Sequence, residues 1–172
     1  AHPAVSGEFL SRVGCGDIAP RGAIDRFEPN AVIFTDGTRE EIDAIVWATG
    51  YNVSFPFFDD PDLTPKENRF PLFKRMVKPG YENLFFLALA QPLPTLVNFA
   101  EQQSKLLAAL VAGEYALPAG DEMDRITAAD EKTHMGHFYQ AARHTMQLDF
   151  NTYVRDLMQE LEKGRKRARV SA

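Results

Sequence analysis

The first half of the chain carries short apolar runs set between turn residues, and the second half carries apolar positions at helical spacing. Ser6 to Val13 reads as one or two amphipathic turns. Ala31-Val32-Ile33-Phe34 is a short apolar strand, and the Asp36-Gly37 pair behind it suits a hairpin, since glycine takes positive φ without steric penalty. Ile42 to Ala48 is predicted to return as a strand. Its apolar character is continuous after Asp43, which implies burial on both faces, and it stops at Thr49-Gly50-Tyr51.

Residues 52–83, punctuated by Pro56, Pro61, Pro65, Asn68, Pro71, Pro79 and Gly80, are predicted to form a long connection. Phe55, Phe57, Phe58, Phe70 and Phe73 are its expected anchors to the body. Leu84 to Ala90 is predicted to be a second buried strand, broken by Gln91-Pro92-Leu93-Pro94. Thr95 can cap the helix that follows to Ala112, with Phe99, Leu106, Leu107 and Leu110 on its apolar stripe and Gly113 at its end. A second helix is predicted over 121–132. A third runs from Asp149 to Lys163 with Phe150, Tyr153, Val154, Leu157 and Leu161 on one face, closing at Gly164. Arg165 to Arg169 would then be a frayed, solvated basic end.

Composition adds limits. The 172 residues, 45% hydrophobic and 25% charged, suit an ordinary globular chain of one domain or somewhat more. A net charge of −5 argues against nucleic acid as the main partner. Cys15 is the single cysteine, which rules out an internal disulfide and a cysteine-rich zinc site and reads as an inert loop residue. No apolar stretch is long enough to cross a bilayer and no signal peptide opens the chain, so a cytoplasmic setting is expected. His134 and His137 are expected to be surface neighbours, with no third ligand in view, so no metal site is predicted. Asp59, Asp60 and Asp62 read as a solvated turn. Tyr139, Arg143 and His144 fit either a cavity lining or a core cover.

Three segments occur in a telling order: Asp43-Ala44-Ile45-Val46-Trp47-Ala48-Thr49-Gly50-Tyr51, then Asn83-Leu84-Phe85-Phe86-Leu87-Ala88-Leu89-Ala90-Gln91-Pro92, then Glu101-Gln102-Gln103 with Leu117-Pro118 and Glu122-Met123 behind it. Together they resemble the carboxy-terminal part of bacterial flavin-containing monooxygenases (FMO-like), from about His2 to Met123. The absence of an initial Met and the abrupt amphipathic opening fit a chain entered in mid-domain.

The resemblance implies an α/β (as a fragment, α+β) piece of a flavoprotein with two dinucleotide-binding domains, its strands short and its carboxy-terminal half helical. Residues 1–27 would be a remnant of the NADP-binding domain, 28–118 the returning part of the FAD-binding domain, and 119–172 a helical extension. It implies an enzyme using FAD and NADPH to place one oxygen atom from O2 on a nitrogen, a sulfur or a ketone of a small molecule. Thr49, Gly50, Tyr51, Gln91, Thr95 and Leu96 would line the cofactor, with Gln91 either a flavin-side donor or a strand end, and no residue here stands out as catalytic. The pattern departs at Ala88, Pro94 and Asn98, where the family usually has Gly, Gly and Pro. No G-x-G-x-x-G fingerprint occurs, so neither FAD nor NADPH is expected to bind this stretch tightly. The alternative is a non-catalytic scaffold that forms a homodimer through its helical tail.

Overall fold

A four-residue apolar run between two turns makes the middle strand of a small sheet. In the computed structural model, which describes residues 6–81, 83–92, 95–135 and 145–171, β1 (Ile24–Glu28), β2 (Ala31–Phe34) and β3 (Arg39–Glu41) form an antiparallel meander. Ala31, Val32 and Ile33 of β2 are buried. The second hairpin turns at the expected place: Gly37 has φ +85° and the Asp36 carboxylate accepts the Thr38 N–H at 2.9 Å. Before this sheet lies α1 (Phe9–Gly14), a short helix that buries none of its residues.

The returning strand is three residues, not the expected Ile42 to Ala48. Since β2 begins at Ala31, opposite Glu41, the ladder closes with the Ile42 N–H on the Asn30 carbonyl at 3.0 Å. Beyond it nothing among the described residues lies alongside to continue the pairing. Residues 44–50 are irregular and exposed, Val46 to 89% and Trp47 to 64%. The burial expected for this run is absent from this chain.

Contacts divide the chain into two compact units, His2–Gly50 and Tyr51–Ala172. The second unit begins with the long connection, which holds a 3₁₀ turn (Pro61–Leu63) and an aromatic cluster of Phe55, Phe58, Phe70 and Phe86 on Leu63, Leu72 and Met146. Phe57 is largely exposed, touching this cluster from outside through Phe58 at a 4.7 Å ring separation. Phe73 instead enters the main core.

Leu84 to Ala90 is not a strand. Phe85 makes one bridge to Val77 and the Phe86 N–H reaches the Met76 carbonyl at 2.8 Å. Ala88 then turns left-handed at φ +61°, and the Ala90 N–H folds back on the Ala88 carbonyl at 2.9 Å, which no extended strand allows. The segment is half-buried rather than buried.

Three helices follow: α2 (Leu96–Val111), α3 (Gly120–Met135) and α4 (Phe150–Ser171). Helix α2 starts on Thr95, whose hydroxyl accepts the Asn98 N–H at 3.4 Å. It ends at Gly113 (φ +73°), with the Gly113 N–H on Leu110 and the Glu114 N–H on Ala109, the paired bonds of a left-handed cap. A two-residue parallel pair, β4 (Gln91–Pro92) with β5 (Gln147–Leu148), ties the entry of α2 to the entry of α4. The core lies where α2 meets α4, around Phe99, Leu106, Tyr153, Leu157 and Leu161.

Helix α4 does not stop at Gly164. It runs to Ser171, because that glycine leaves room for a ring: a Cβ there would overlap Tyr115. The basic end is likewise built in rather than frayed. Arg167 donates to the Ala116 carbonyl at 3.0 Å and pairs with the buried Glu160, which also accepts the Tyr115 hydroxyl at 3.0 Å. No described helix is long and apolar enough to cross a membrane.

Candidate functional site

Gln91, Thr95 and Leu96 come together at the start of α2. The Gln91 backbone is fixed by its N–H on the Met146 carbonyl at 2.7 Å, while its residue as a whole is exposed. Thr95 commits its hydroxyl to Asn98, and helix geometry leaves the N–H groups of Leu96 and Val97 without intrahelical acceptors, both residues being exposed. A 16-residue helix thus presents its positive end to solvent beside Gln91. Thr49 and Gly50 close the first compact unit, and Tyr51, 97% exposed, opens the second. Gly50 has φ +98° with no heavy atom within 4 Å of where a Cβ would stand, so backbone conformation alone demands the glycine there. Ala88, one of the departures, holds its left-handed φ without glycine, at a cost of roughly 1–2 kcal/mol. Asn98 contributes the capped N–H, and Pro94 lies outside the described residues.

Behind this surface stands a buried polar network that sequence reasoning missed. Gln103 is fully buried. Its carbonyl oxygen accepts the Ala88 N–H at 2.8 Å, and its amide donates to the Arg75 carbonyl at 3.3 Å and to the Tyr153 hydroxyl at 3.1 Å. That hydroxyl donates to the Lys74 carbonyl at 2.7 Å. Lys74 (φ +47°), Arg75 (φ +56°) and Ala88 are all left-handed without being glycine, and this one pair of side chains holds all three. Burial raises the Tyr153 phenol well above its ordinary value, so it stays protonated and able to donate. The signal for Gln103 was present: it sits four residues after Phe99 and three before Leu106, in the middle of an apolar stripe.

A second group lies next to it. Lys74 Nζ is 2.8 Å from Asp130, and His134 Nε2 is 3.1 Å from Asp156. His134 is therefore buried and paired, not on the surface; it falls on the inner stripe of α3 with Met123, Thr127 and Asp130. His137, Tyr139, Arg143 and His144 lie outside the described residues. Asp130, His134 and Asp156 offer ligand atoms within 4.8 Å of one another, yet the Lys74 ammonium already supplies a cation there. Because Asp156 accepts, the His134 proton belongs on Nε2, and among the described residues buried Nδ1 has no partner. Burial lowers the His134 pKa, outweighing the pull of Asp130 and Asp156. The turn at Asp60 is solvated as expected; Tyr81 donates to Asp60 at 2.5 Å, which pushes the Tyr81 pKa up to about 12.

Comparison with known proteins identifies the family. A family model described as "FMO-like: Flavin-binding monooxygenase-like" matches residues 1–166. "Flavin-containing monooxygenase 5" of Oryctolagus cuniculus is 34% identical over 153 residues, 87% of this chain and 28% of that protein. The Homo sapiens protein of the same name is 34% identical over 164 residues, 93% of this chain and 30% of its own length. "4-hydroxybenzoate brominase (decarboxylating)" of Pseudoalteromonas luteoviolacea (strain 2ta16) is 40% identical over 139 residues, 76% of this chain and 26% of that protein. The chain spans less than a third of the length of these relatives. By that match along nearly its whole length, the chain belongs to the flavin-binding monooxygenase-like family.

Proposed function

We propose that this chain forms one wall of the flavin pocket in a longer, cytoplasmic FAD- and NADPH-dependent monooxygenase. In that enzyme residues 1–27 close an NADP-binding domain, 28–118 return to the FAD-binding domain, and 119–172 form a helical extension. The observation that carries the reading is the family match over residues 1–166 in a chain that has no glycine-rich dinucleotide fingerprint of its own. The residues present suit a flavin wall. The N–H groups of Leu96 and Val97, at the positive end of α2, are placed to receive negative charge, and Gln91 stands beside them with an amide that both donates and accepts. Thr49, Gly50 and Tyr51 supply a backbone with little side-chain bulk at Gly50. The exposed apolar run 44–47 is covered, in this reading, by the remainder of the longer protein.

Bound there and reduced by NADPH, FAD would supply the two electrons with which one atom of O2 goes to a nitrogen, a sulfur or a ketone of a small substrate while the other leaves as water. What this chain contributes is placement, through the capped helix start and Gln91 beside it. Alone it binds neither cofactor tightly and is inactive.

The test is direct. The longer protein is expected to purify yellow and to oxidise NADPH faster when an amine, sulfide or ketone is added, whereas the 172-residue chain is colourless. A colourless longer protein would refute the reading in favour of a scaffold. The 40% identity to a protein named as a brominase supports a second reading, halogenation. Bromide-dependent product carrying bromine, with no oxygenated product, would select it.

A further inference from the structure

Five non-glycine residues among those described have left-handed backbones; two of them, Arg75 and Ala88, bond the buried Gln103 amide, and a third, Lys74, is held by its partner Tyr153. Such strain persists only where the surroundings over-determine it, and it marks places where backbone position matters. Ala88 is the informative case. Its N–H is held by the Gln103 carbonyl oxygen at 2.8 Å, its own carbonyl takes the Ala90 N–H at 2.9 Å, and the Gln91 N–H is fixed on Met146 at 2.7 Å. The four residues from Ala88 to Gln91 are therefore pinned at both ends, by α2 from behind and by the segment before β5 from the side. The pin at the α2 end is a side chain on the same helix whose amino terminus adjoins Gln91, so the segment and the helix start move as one piece.

We propose that Gln103 is a positioning residue: by clamping the left-handed Ala88 it sets where Gln91 stands relative to the amino terminus of α2. The role rests on the flavin-wall reading above, since Gln91 is the group being aimed. It predicts an order of importance within the network. The bond to Ala88 matters for the cofactor, while the bonds to Arg75 and from Tyr153 to Lys74 secure the neighbouring loop. It also predicts that glycine at position 88, which takes φ near +61° freely, makes the clamp dispensable.

The experiment uses the longer flavoprotein, with FAD affinity, the visible flavin spectrum and amide exchange of the 86–92 peptide measured on each variant. Gln103→Leu is expected to speed exchange at 86–92 and to weaken FAD binding about tenfold, the ratio that one lost buried hydrogen bond corresponds to. In the Ala88→Gly background, where the left-handed turn at 88 no longer needs the clamp, the same Gln103→Leu change should cost less than half of that loss on a logarithmic scale. Tyr153→Phe should loosen 73–77 and leave the flavin spectrum as it was. If exchange quickens while affinity and spectrum stay constant, Gln103 is only a core residue and the proposal fails. Equal losses in both backgrounds would also overturn it, because the effect would not pass through Ala88. An unsubstituted protein without flavin would defeat the functional reading itself, and with it this role, before any variant is made.

Discussion

Gly164 shows how one residue decides the course of a helix. In an open helix, replacing glycine with alanine stabilises by roughly 0.5–1 kcal/mol. Here the added methyl would enter the Tyr115 ring, which cannot retreat while its hydroxyl is held by Glu160. Overpacking of this kind costs about 1–3 kcal/mol, so Gly164→Ala is expected to destabilise by about 1–2 kcal/mol net. A urea titration checks this, and a midpoint that rises instead would show that the ring has somewhere to go. Buried Glu160 tells the same story from the polar side, since its charge is balanced by Arg167 and its second task is to accept from Tyr115. Reading Gly164 as a stop and Arg167 as a loose end failed for one reason: Gly164 makes room for the Tyr115 ring, and Arg167 lies over that ring while pairing with the Glu160 that holds its hydroxyl.

At the scale of elements, the helices and the strand Ala31–Phe34 with its hairpin were legible, and the two longer apolar runs were not. Helix α2 carries its own signals at both ends, Thr95 as the cap and Gly113 as the left-handed exit, and its stripe is periodic. The apolar runs 42–48 and 84–90 carry composition suited to strands, but a strand needs a neighbour to pair with. β2 is too short to offer one to the first run, and the left-handed Ala88 bends the second. Of the candidate site, Gln91 lies in a segment that carries the family resemblance, and Thr95 is the recognisable cap of α2 with Leu96 behind it. The buried contacts of Gln103 and His134 were not legible, because polar residues on an inner face read as surface until their partners are known. His134 also gives α3 and α4 a pH dependence. Its pKa is lowered in the folded state, so between the ordinary value of about 6.5 and the folded value the unfolded chain holds the proton more firmly. Stability is then full above that ordinary value and declines as the pH falls through the folded one. Thermal unfolding followed from pH 8 to pH 5 should show this decline, and His134→Gln should flatten it. An identical slope in the variant would mean that other groups carry the acid response.

For the molecule as a whole, the two compact units are unequal in their apolar support. Among the described residues, Ala31, Val32 and Ile33 are the buried apolar side chains of the unit His2–Gly50, whereas the other unit holds both hydrophobic clusters. A core of three small side chains cannot offset the ordering of some fifty residues, for which domains of this size usually need staples or partners. The sheet must therefore draw stability from contacts beyond its own strands. Trp47 lies on the uncovered run of this unit and is the single tryptophan of the chain. That makes it a built-in optical probe. The indole of the 172-residue chain should fluoresce at the long wavelength of a solvated ring, and in the longer protein its emission should move toward the blue. Matching spectra would mean that this face stays wet in both.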